Sequence, residues 1–142
     1  MFGVICSILA GLFMSLQGVF NTRVSEKIGS WETNTIVQGS GLALTLIILF
    51  FAGNGNIKKV TEVNKLYLLG GFIGVFIIFT VMAGIKSLGP TCSIVIILIA
   101  QLLSASVIDI FGLFDTKPLC FHFSKIIGIV VMIAGIIIFK FK

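Results

Sequence analysis

Charge is scarce in this sequence: Asp, Glu, Lys and Arg together make up 11% of its 142 residues. A soluble domain carries about a quarter, and one of this size leaves much of its surface in water. With 58% hydrophobic residues and a mean hydropathy of +1.21, the chain has too little polar surface to meet that need. A soluble fold is excluded, and an integral membrane protein is what remains. Histidine occurs once, and there is no His-Glu-x-x-His, Gly-x-Ser-x-Gly or phosphate-binding Gly-Lys-Ser/Thr pattern. Carboxylates paired at a useful spacing are missing as well. These absences remove the hydrolytic and nucleotide-driven classes. The chain is expected not to be an enzyme, to need no cofactor and to hold no metal, and an ATP-driven pump would need its nucleotide site on a partner subunit.

Cysteine is sparse and unpatterned. Cys6, Cys92 and Cys120 are far apart and form no Cys-x-x-Cys, so they read as buried small hydrophobes rather than metal ligands or a disulfide framework. The net charge of +5 comes from single or paired cations at the edges of apolar runs: Arg23, Lys58/Lys59, Lys86, Lys125 and Lys140/Lys142. Cations flank membrane spans in this way. No basic helix or aromatic-interleaved patch exists to grip phosphates, so nucleic acid is not expected as a partner. The N-terminus lacks a basic region and a small-residue cleavage site, and it reads as a retained first helix rather than a signal peptide.

Long uncharged runs are what the sequence has instead. Residues 2–22, 33–57, 66–85 and 91–108 each approach or exceed the roughly 18–20 residues that span a bilayer. A fifth run, 126–139, has 14 residues, about 21 Å of helix against a hydrocarbon core of about 30 Å. Lys125 and Lys140 can snorkel outwards at its ends, and Ser124 is a candidate N-cap. The expected fold is therefore all-α: one transmembrane domain, 1–142, of five helices at about 2–22, 33–53, 66–86, 91–113 and 124–141. The intervening segments read as short polar loops at 21–32, 53–65, 86–90 and 115–123, and the Gly89-Pro90 turn predicts an antiparallel pairing of helices three and four.

Five spans place alternate loops on opposite sides. One side then holds Lys58, Lys59, Lys65, Lys117 and Lys125, and the other holds Arg23, Lys27, Lys86, Lys140 and Lys142, five against five. The Lys/Arg bias that orients membrane proteins cancels. Either other signals orient the chain, or it inserts both ways and forms an antiparallel, dual-topology homodimer of 5+5 helices. The second reading also answers a problem of size. Many transporters surround a midplane site with two inverted repeats, and two copies of one unbiased repeat build the same object. Without the fifth span, Lys140 and Lys142 change sides and the count becomes seven against three.

A few polar residues interrupt the runs. In helix one, Gly3, Ser7, Gly11 and Ser15 form a small-residue stripe that reads as packing. Beyond it Gln17 and Asn21, one turn apart, share a face that can line a cavity. Arg23 follows, as either a headgroup anchor or a fork for an anionic substrate group. Trp31 reads as an interfacial anchor. Gln38 in helix two either glues helices or meets a ligand. Helices three and five, with Gly70, Gly71 and Gly74 and with Gly128 and Gly135, read as packing. Helix four is richest: Gln101, Ser104, Ala105 and Asp109 fall on one broad face. A central Asp costs roughly 2.5–3.5 kcal/mol on insertion scales, so a chain that keeps one uses it. Asp109 is the candidate coupling or gating residue, or a partner for Arg23; the alternative is an interfacial carboxylate at the helix end.

Three stretches carry a resemblance. Gln17-Gly-x-x-Asn21-x-Arg23, the Lys86-x-x-Gly89 turn, and Gln101-x-x-Ser104-x-x-x-Ile108-Asp109-x-Phe111-Gly112-Leu113-Phe114 resemble the YdcZ-like inner-membrane family, a five-helix branch of the drug/metabolite transporter superfamily. The resemblance runs essentially end to end. It implies a multi-pass protein of the bacterial cytoplasmic membrane, occurring as antiparallel homodimers, as pairs with a sister subunit, or fused into ten helices. It also implies kinship with the small multidrug resistance exporters, which rely on an acidic residue in helix one. Here helix one has no charge before Arg23, so their proton-coupled export of cationic drugs is not carried over. The expectation is a secondary transporter for a small polar metabolite, with a carboxylate among the candidate groups, working by alternating access at the dimer interface. Gln17, Asn21, Arg23, Gln38, Gln101 and Ser104 are the candidate substrate contacts. The competing readings are an exporter of cationic compounds and a non-transporting membrane assembly subunit. The expected partners are membrane lipid, the small-molecule substrate and a second copy or sister subunit.

Overall fold

The computed structural model of the chain describes residues 1–116 and 123–140. Among these there is no strand, and five α-helices follow one another: α1 (Phe2–Ile28), α2 (Ser30–Ala52), α3 (Gly70–Leu88), α4 (Pro90–Phe111) and α5 (Phe123–Lys140). Four segments are long and apolar enough to cross a membrane: α1, α2, Lys65–Leu88 and α4. The chain is an all-α membrane protein. At 18 residues α5 is about 27 Å long, longer than its uncharged run because the helix also takes in Lys125 and Lys140. It starts at Phe123, so Ser124 is its second residue rather than its cap. Lys117, Pro118, Cys120, His122 and Lys142 lie outside the described residues, as do the side chains of Ser124, Lys125 and Lys140.

Met1–Ser87 forms one compact unit and Leu88–Lys142 the other. In the first, α1 runs well past the expected boundary at 22. Residues 21–28 were expected to be loop because they carry Arg23, Glu26 and Lys27, yet they contain no glycine or proline to stop a helix. Gly29 alone separates α1 from α2. Its backbone, at φ 100° and ψ 157°, occupies a region that is essentially reserved for glycine. The Gly29 N–H donates to Ser25 O (3.1 Å), and the Gly29 carbonyl accepts from Thr33 N–H (3.1 Å) and from Thr33 Oγ1 (2.7 Å). One residue thus satisfies groups at the end of one helix and the start of the next.

After α2 the expected loop of 53–65 contains a 3₁₀ helix at Ile57–Glu62, and a second at Lys65–Leu69 leads into α3. Asn56 and Asn64 cap them, each side-chain oxygen accepting a backbone N–H two residues on, from Lys58 and Leu66, at 3.0 Å.

The interior of this unit inverts the pattern of a soluble protein. Met82 and Ile85 of α3 are its buried hydrophobic side chains, whereas Asn21, Thr22 and Ser25 of α1 and Thr33 and Asn34 of α2 are buried polar ones. Large apolar residues such as Phe13, Ile47, Phe50 and Phe72 are exposed. Lipid is as apolar as leucine, so membrane helices gain little by hiding leucine; they gain by close approach at small residues. The hydroxyls are admitted because each is satisfied within its own helix. Thr22 donates to Gly18 O (2.7 Å) and Ser25 to Thr22 O (2.8 Å). Gly18 is the closest approach: a Cβ there would lie 2.9 Å from Ile85 Cδ1 and 3.2 Å from Val81 Cγ1.

The small-residue stripe of α1, expected to pack, is exposed at Gly3, Ser7 and Gly11 and half-buried at Ser15. Ser7 and Ser15 donate to the carbonyls of Gly3 and Gly11 at 2.9 Å, and a Cβ at either glycine would meet nothing within 4 Å. Cys6, expected to be buried, is likewise exposed, and Cys92 is half-buried; both are free thiols. On the outer face of a membrane helix the bilayer itself supplies the apolar surroundings a thiol prefers.

In the second unit, α4 opens with Pro90 at its first turn after Gly89, which has φ 79°, the chemistry expected of that turn. It ends two residues earlier than expected, at Phe111, because Gly112 turns left-handed (φ 58°, ψ 37°) and donates its N–H to Ile108 O. Phe114 is also left-handed, at φ 58° and ψ 40°, an uncommon conformation for a bulky residue. Within this unit α4 packs against α5.

Candidate functional site

The candidate residues fall into two groups, one in each unit. In the first unit Gln17 and Asn21 line one open groove of about 580 Å³ together with Ala10, Phe13, Met14, Leu16 and Phe20. The one-turn spacing that put them on a common face is what brings them together. Asn21 is 7% exposed and Gln17 is exposed. Asn21 lies inside α1 and does not cap it, since the helix runs on to Ile28.

Arg23 lies one turn beyond Val19 and faces outwards. Its guanidinium donates to Glu26 Oε2 at 3.2 Å, and the pair is well exposed, so it contributes little to stability. The sequence reading overlooked Glu26 as a partner for Arg23 because it treated the segment as loop.

Gln38 is half-buried, and its Nε2 lies 3.4 Å from the position a Cβ would take on Gly74. It belongs to a seam between α2 and α3. Along that seam the Trp31 ring stacks on Phe79 at 4.6 Å and 15°, and the Asn34 amide donates to Val75 O at 2.8 Å. Trp31, expected as an anchor at the interface, is thus held by an aromatic stack as well. At Gln38 the amide stands beside α3, and both readings, helix glue and ligand contact, stay open.

In the second unit the broad face of α4 divides. Ala105 and Asp109 turn towards α5 and, with Leu102, Ser106, Gly128, Ile129 and Met132, line a cavity of about 270 Å³. Gln101 and Ser104 do not line it, and both are exposed. Gln101 is the twelfth of the 22 residues of α4, about 15 Å from either end, whereas Asp109 lies two residues from the C-terminus. Asp109 is half-buried. Among the described residues no three His, Cys, Asp or Glu side chains gather where they could hold a metal ion.

Comparison with known proteins places the chain in a family. The family described as "Putative inner membrane exporter, YdcZ" matches residues 2–138. The chain belongs to that family. It is also 26% identical over 133 residues to "Inner membrane protein YdcZ" of Escherichia coli (strain K12), covering 90% of this chain and 87% of that one. No solved structure was found to match it. Like its YdcZ relative, the chain is a multi-pass protein of the bacterial inner membrane, and its family's description supports a membrane transporter role.

Two residues of this YdcZ-family chain, Ser106 and Asn34, went unnoticed in the sequence, and a third, Gly128, was given another role. Ser106 is buried in α4, its hydroxyl donating to Leu102 O at 2.8 Å. Gly128 was assigned to packing, yet a Cβ on it would meet nothing within 4 Å, so it leaves room instead. Asn34 is 2% exposed, and its Oδ1 has no hydrogen-bond partner among the described residues. The signal for Asn34 was the spacing Trp31-x-x-Asn34-x-x-x-Gln38, a helical seam hidden by its position beside charged Glu32. A buried orphan acceptor costs about 1–3 kcal/mol, and interhelical hydrogen bonds within membranes return about 0.6 kcal/mol on average. Asn34→Leu removes both, so thermal unfolding in detergent is expected to show a net gain of about 0.4–2.4 kcal/mol despite the burial of the site. A net loss would show that the bond to Val75 dominates.

Proposed function

We propose that the chain is a secondary transporter for a small polar metabolite, working as an antiparallel pair of copies around a site near mid-membrane. The observation that carries this reading is Gln101. Its carboxamide is exposed halfway along an apolar span. Facing lipid, an unpaired amide costs roughly 1–3 kcal/mol by protein measurements and more on hydrocarbon scales. A second polar surface removes that cost, and a second copy running in the opposite direction supplies one with Gln101 near the same depth. The exposed stripe of Gly3, Ser7, Gly11 and Ser15 supports the same arrangement, since it permits close approach of another helix. So does the balanced five-against-five distribution of Lys and Arg, with α5 as the fifth span and 1–142 as one transmembrane domain.

In this reading Gln17, Asn21, Gln38, Gln101 and Ser104 hydrogen-bond the substrate, and Arg23 receives an anionic group at the vestibule. Asp109, near a membrane surface, gates or couples. The family description favours export as the direction.

The test is flux of small metabolites in proteoliposomes. Gln101→Ala is expected to reduce transport by tenfold or more, about 1.4 kcal/mol of lost interaction, and Arg23→Ala to reduce it only for anionic solutes. If both variants left every flux unchanged while altering assembly, the chain would be an assembly subunit instead. Resistance to quaternary ammonium compounds on expression would favour the cation exporter. The dual topology has its own check: a C-terminal reporter is expected on both sides of the membrane, and signal from one side only would contradict the homodimer unless an oppositely biased sister subunit is present.

A further inference from the structure

Residues 53–64, between α2 and the span that starts at Lys65, take no part in the proposed transport site. They join two candidate spans and so lie at a membrane surface. Within them Ile57–Glu62 is a 3₁₀ helix, which has three residues per turn, so side chains three apart eclipse. Ile57 and Val60 therefore share one face. Val63 follows at the same spacing, its N–H donating to Val60 O at 3.3 Å. These three apolar side chains are 67%, 43% and 43% exposed. Lys58 and Thr61 form a second face, with Thr61 Oγ1 donating to Lys58 O at 3.1 Å. Lys59 and Glu62 form the third.

Local bonds hold this shape. The Asn56 and Asn64 side chains accept from the N–H groups of Lys58 and Leu66, and Lys59 N–H donates to Asn56 O at 3.1 Å. An amphipathic turn of this kind lies in the plane of a membrane interface, apolar stripe towards the acyl chains and polar faces towards the headgroups. Lysine suits that depth, because its stem lies along apolar surface while its ammonium stays in water. Residues 58–65 carry three lysines, Lys58, Lys59 and Lys65, against one carboxylate, Glu62. Lys65 opens the next span and so stands at headgroup level. Each lysine there adds to the attraction of anionic lipid.

We propose that residues 57–65 form a docking surface for anionic phospholipid. The stripe of Ile57, Val60 and Val63 enters the acyl boundary while Lys58, Lys59 and Lys65 engage the phosphates. The occupant is lipid rather than a soluble phosphate, because a phosphate engages the cations alone and lipid covers the stripe as well. Glu62 opposes the attraction. The surface is complete in one copy of the chain and is independent of what the chain transports.

The experiment places a fluorescent reporter on the stripe. Trp31 is the chain's one tryptophan, so Val60→Trp in a Trp31→Phe background gives a single indole. The full-length protein is reconstituted into bilayers of phosphatidylcholine and phosphatidylglycerol in equal amounts, with bromine, a quencher, on the chains of one lipid class at a time. Brominated phosphatidylglycerol is expected to quench at least about fivefold more effectively than brominated phosphatidylcholine, which is what one lysine contributes at this depth. Replacing Lys58, Lys59 and Lys65 by Gln is expected to bring that ratio close to one, and Glu62→Gln to raise it. Lys27→Gln with Lys86→Gln, in the last turns of α1 and α3, is expected to leave it unchanged, as is soluble glycerol phosphate. Thr61→Trp, on a polar face, is expected to be quenched less by lipid and more by acrylamide from water. A ratio near one before any lysine is replaced would overturn the proposal. So would a ratio that survives the lysine substitutions, falls equally with Lys27 and Lys86, or collapses with glycerol phosphate. An indole at position 60 that neither brominated lipid nor acrylamide reaches would place a second copy of the chain on the stripe, and would overturn it too.

Discussion

Gly29→Ala is expected to destabilise the protein by about 2 kcal/mol, far more than a glycine between two helices ordinarily would. The reason lies in the backbone. At φ 100° and ψ 157° Gly29 occupies a region in which a Cβ is strained, at a cost of about 1–3 kcal/mol. An added Cβ also runs into the Glu32 carboxylate, whose Oε2 is its nearest neighbour. The two contributions can be separated. Glu32 is the far end of a flexible side chain and can move aside, whereas the backbone cannot, because Gly29 is held by Ser25 on one side and Thr33 on the other. Adding Glu32→Ala to Gly29→Ala is therefore expected to recover only a minor part of the loss. Full recovery in a detergent unfolding titration would show that the clash, not the backbone, sets the cost. Gly29→Val should fare worse than alanine, since a β-branched side chain is the more restricted.

Gly18→Leu is expected to cost about 3 kcal/mol or more and to separate α1 from α3. A single methyl at this position already reaches 2.9 Å from Ile85 Cδ1 and 3.2 Å from Val81 Cγ1. Both contacts are side-chain ends, so Gly18→Ala can be accommodated by a small shift of Ile85. The shift opposes a gain of about 1 kcal/mol in helix propensity, and the net change for alanine should stay under about 1 kcal/mol. Leucine has no such escape: overpacking alone costs about 1–3 kcal/mol, and displacing α3 also disturbs buried Met82 and Ile85. The pairing of a mild alanine with a severe leucine, measured by thermal unfolding in detergent, distinguishes a helix contact from a general intolerance of substitution. Equal effects of the two would argue against close α1–α3 contact at Gly18.

Hydropathy made four of the helices legible, because a span must be uncharged to lie in hydrocarbon and the chain obeys that rule closely. It misplaced the end of α1 for the same reason. Arg23, Glu26 and Lys27 are helical residues beyond the apolar stretch, and hydropathy reports contact with lipid rather than helicity. Gly29 as the real breakpoint was readable only as a glycine, not as the single joint it is. In the site, the one-turn spacing of Gln17 and Asn21 was a sound guide, since helical geometry alone decides that they share a groove. The face of α4 was drawn too wide. Leu102, Ser106 and Asp109 point at α5 while Gln101 and Ser104 do not, a division that depends on where α5 packs. Asn34 escaped notice because its partner, the Val75 carbonyl, is a backbone group 41 residues away that no side-chain pattern marks.

The most direct test of the transporter account uses this chain alone. Liposomes reconstituted with the purified protein would be loaded with a mixture of small amines, carboxylates and neutral metabolites, and the external medium followed by mass spectrometry. The account predicts saturable, protein-dependent release of one solute class, diminished by Gln101→Ala. Release no faster than from protein-free liposomes, with the reconstituted protein shown to be folded, would contradict it.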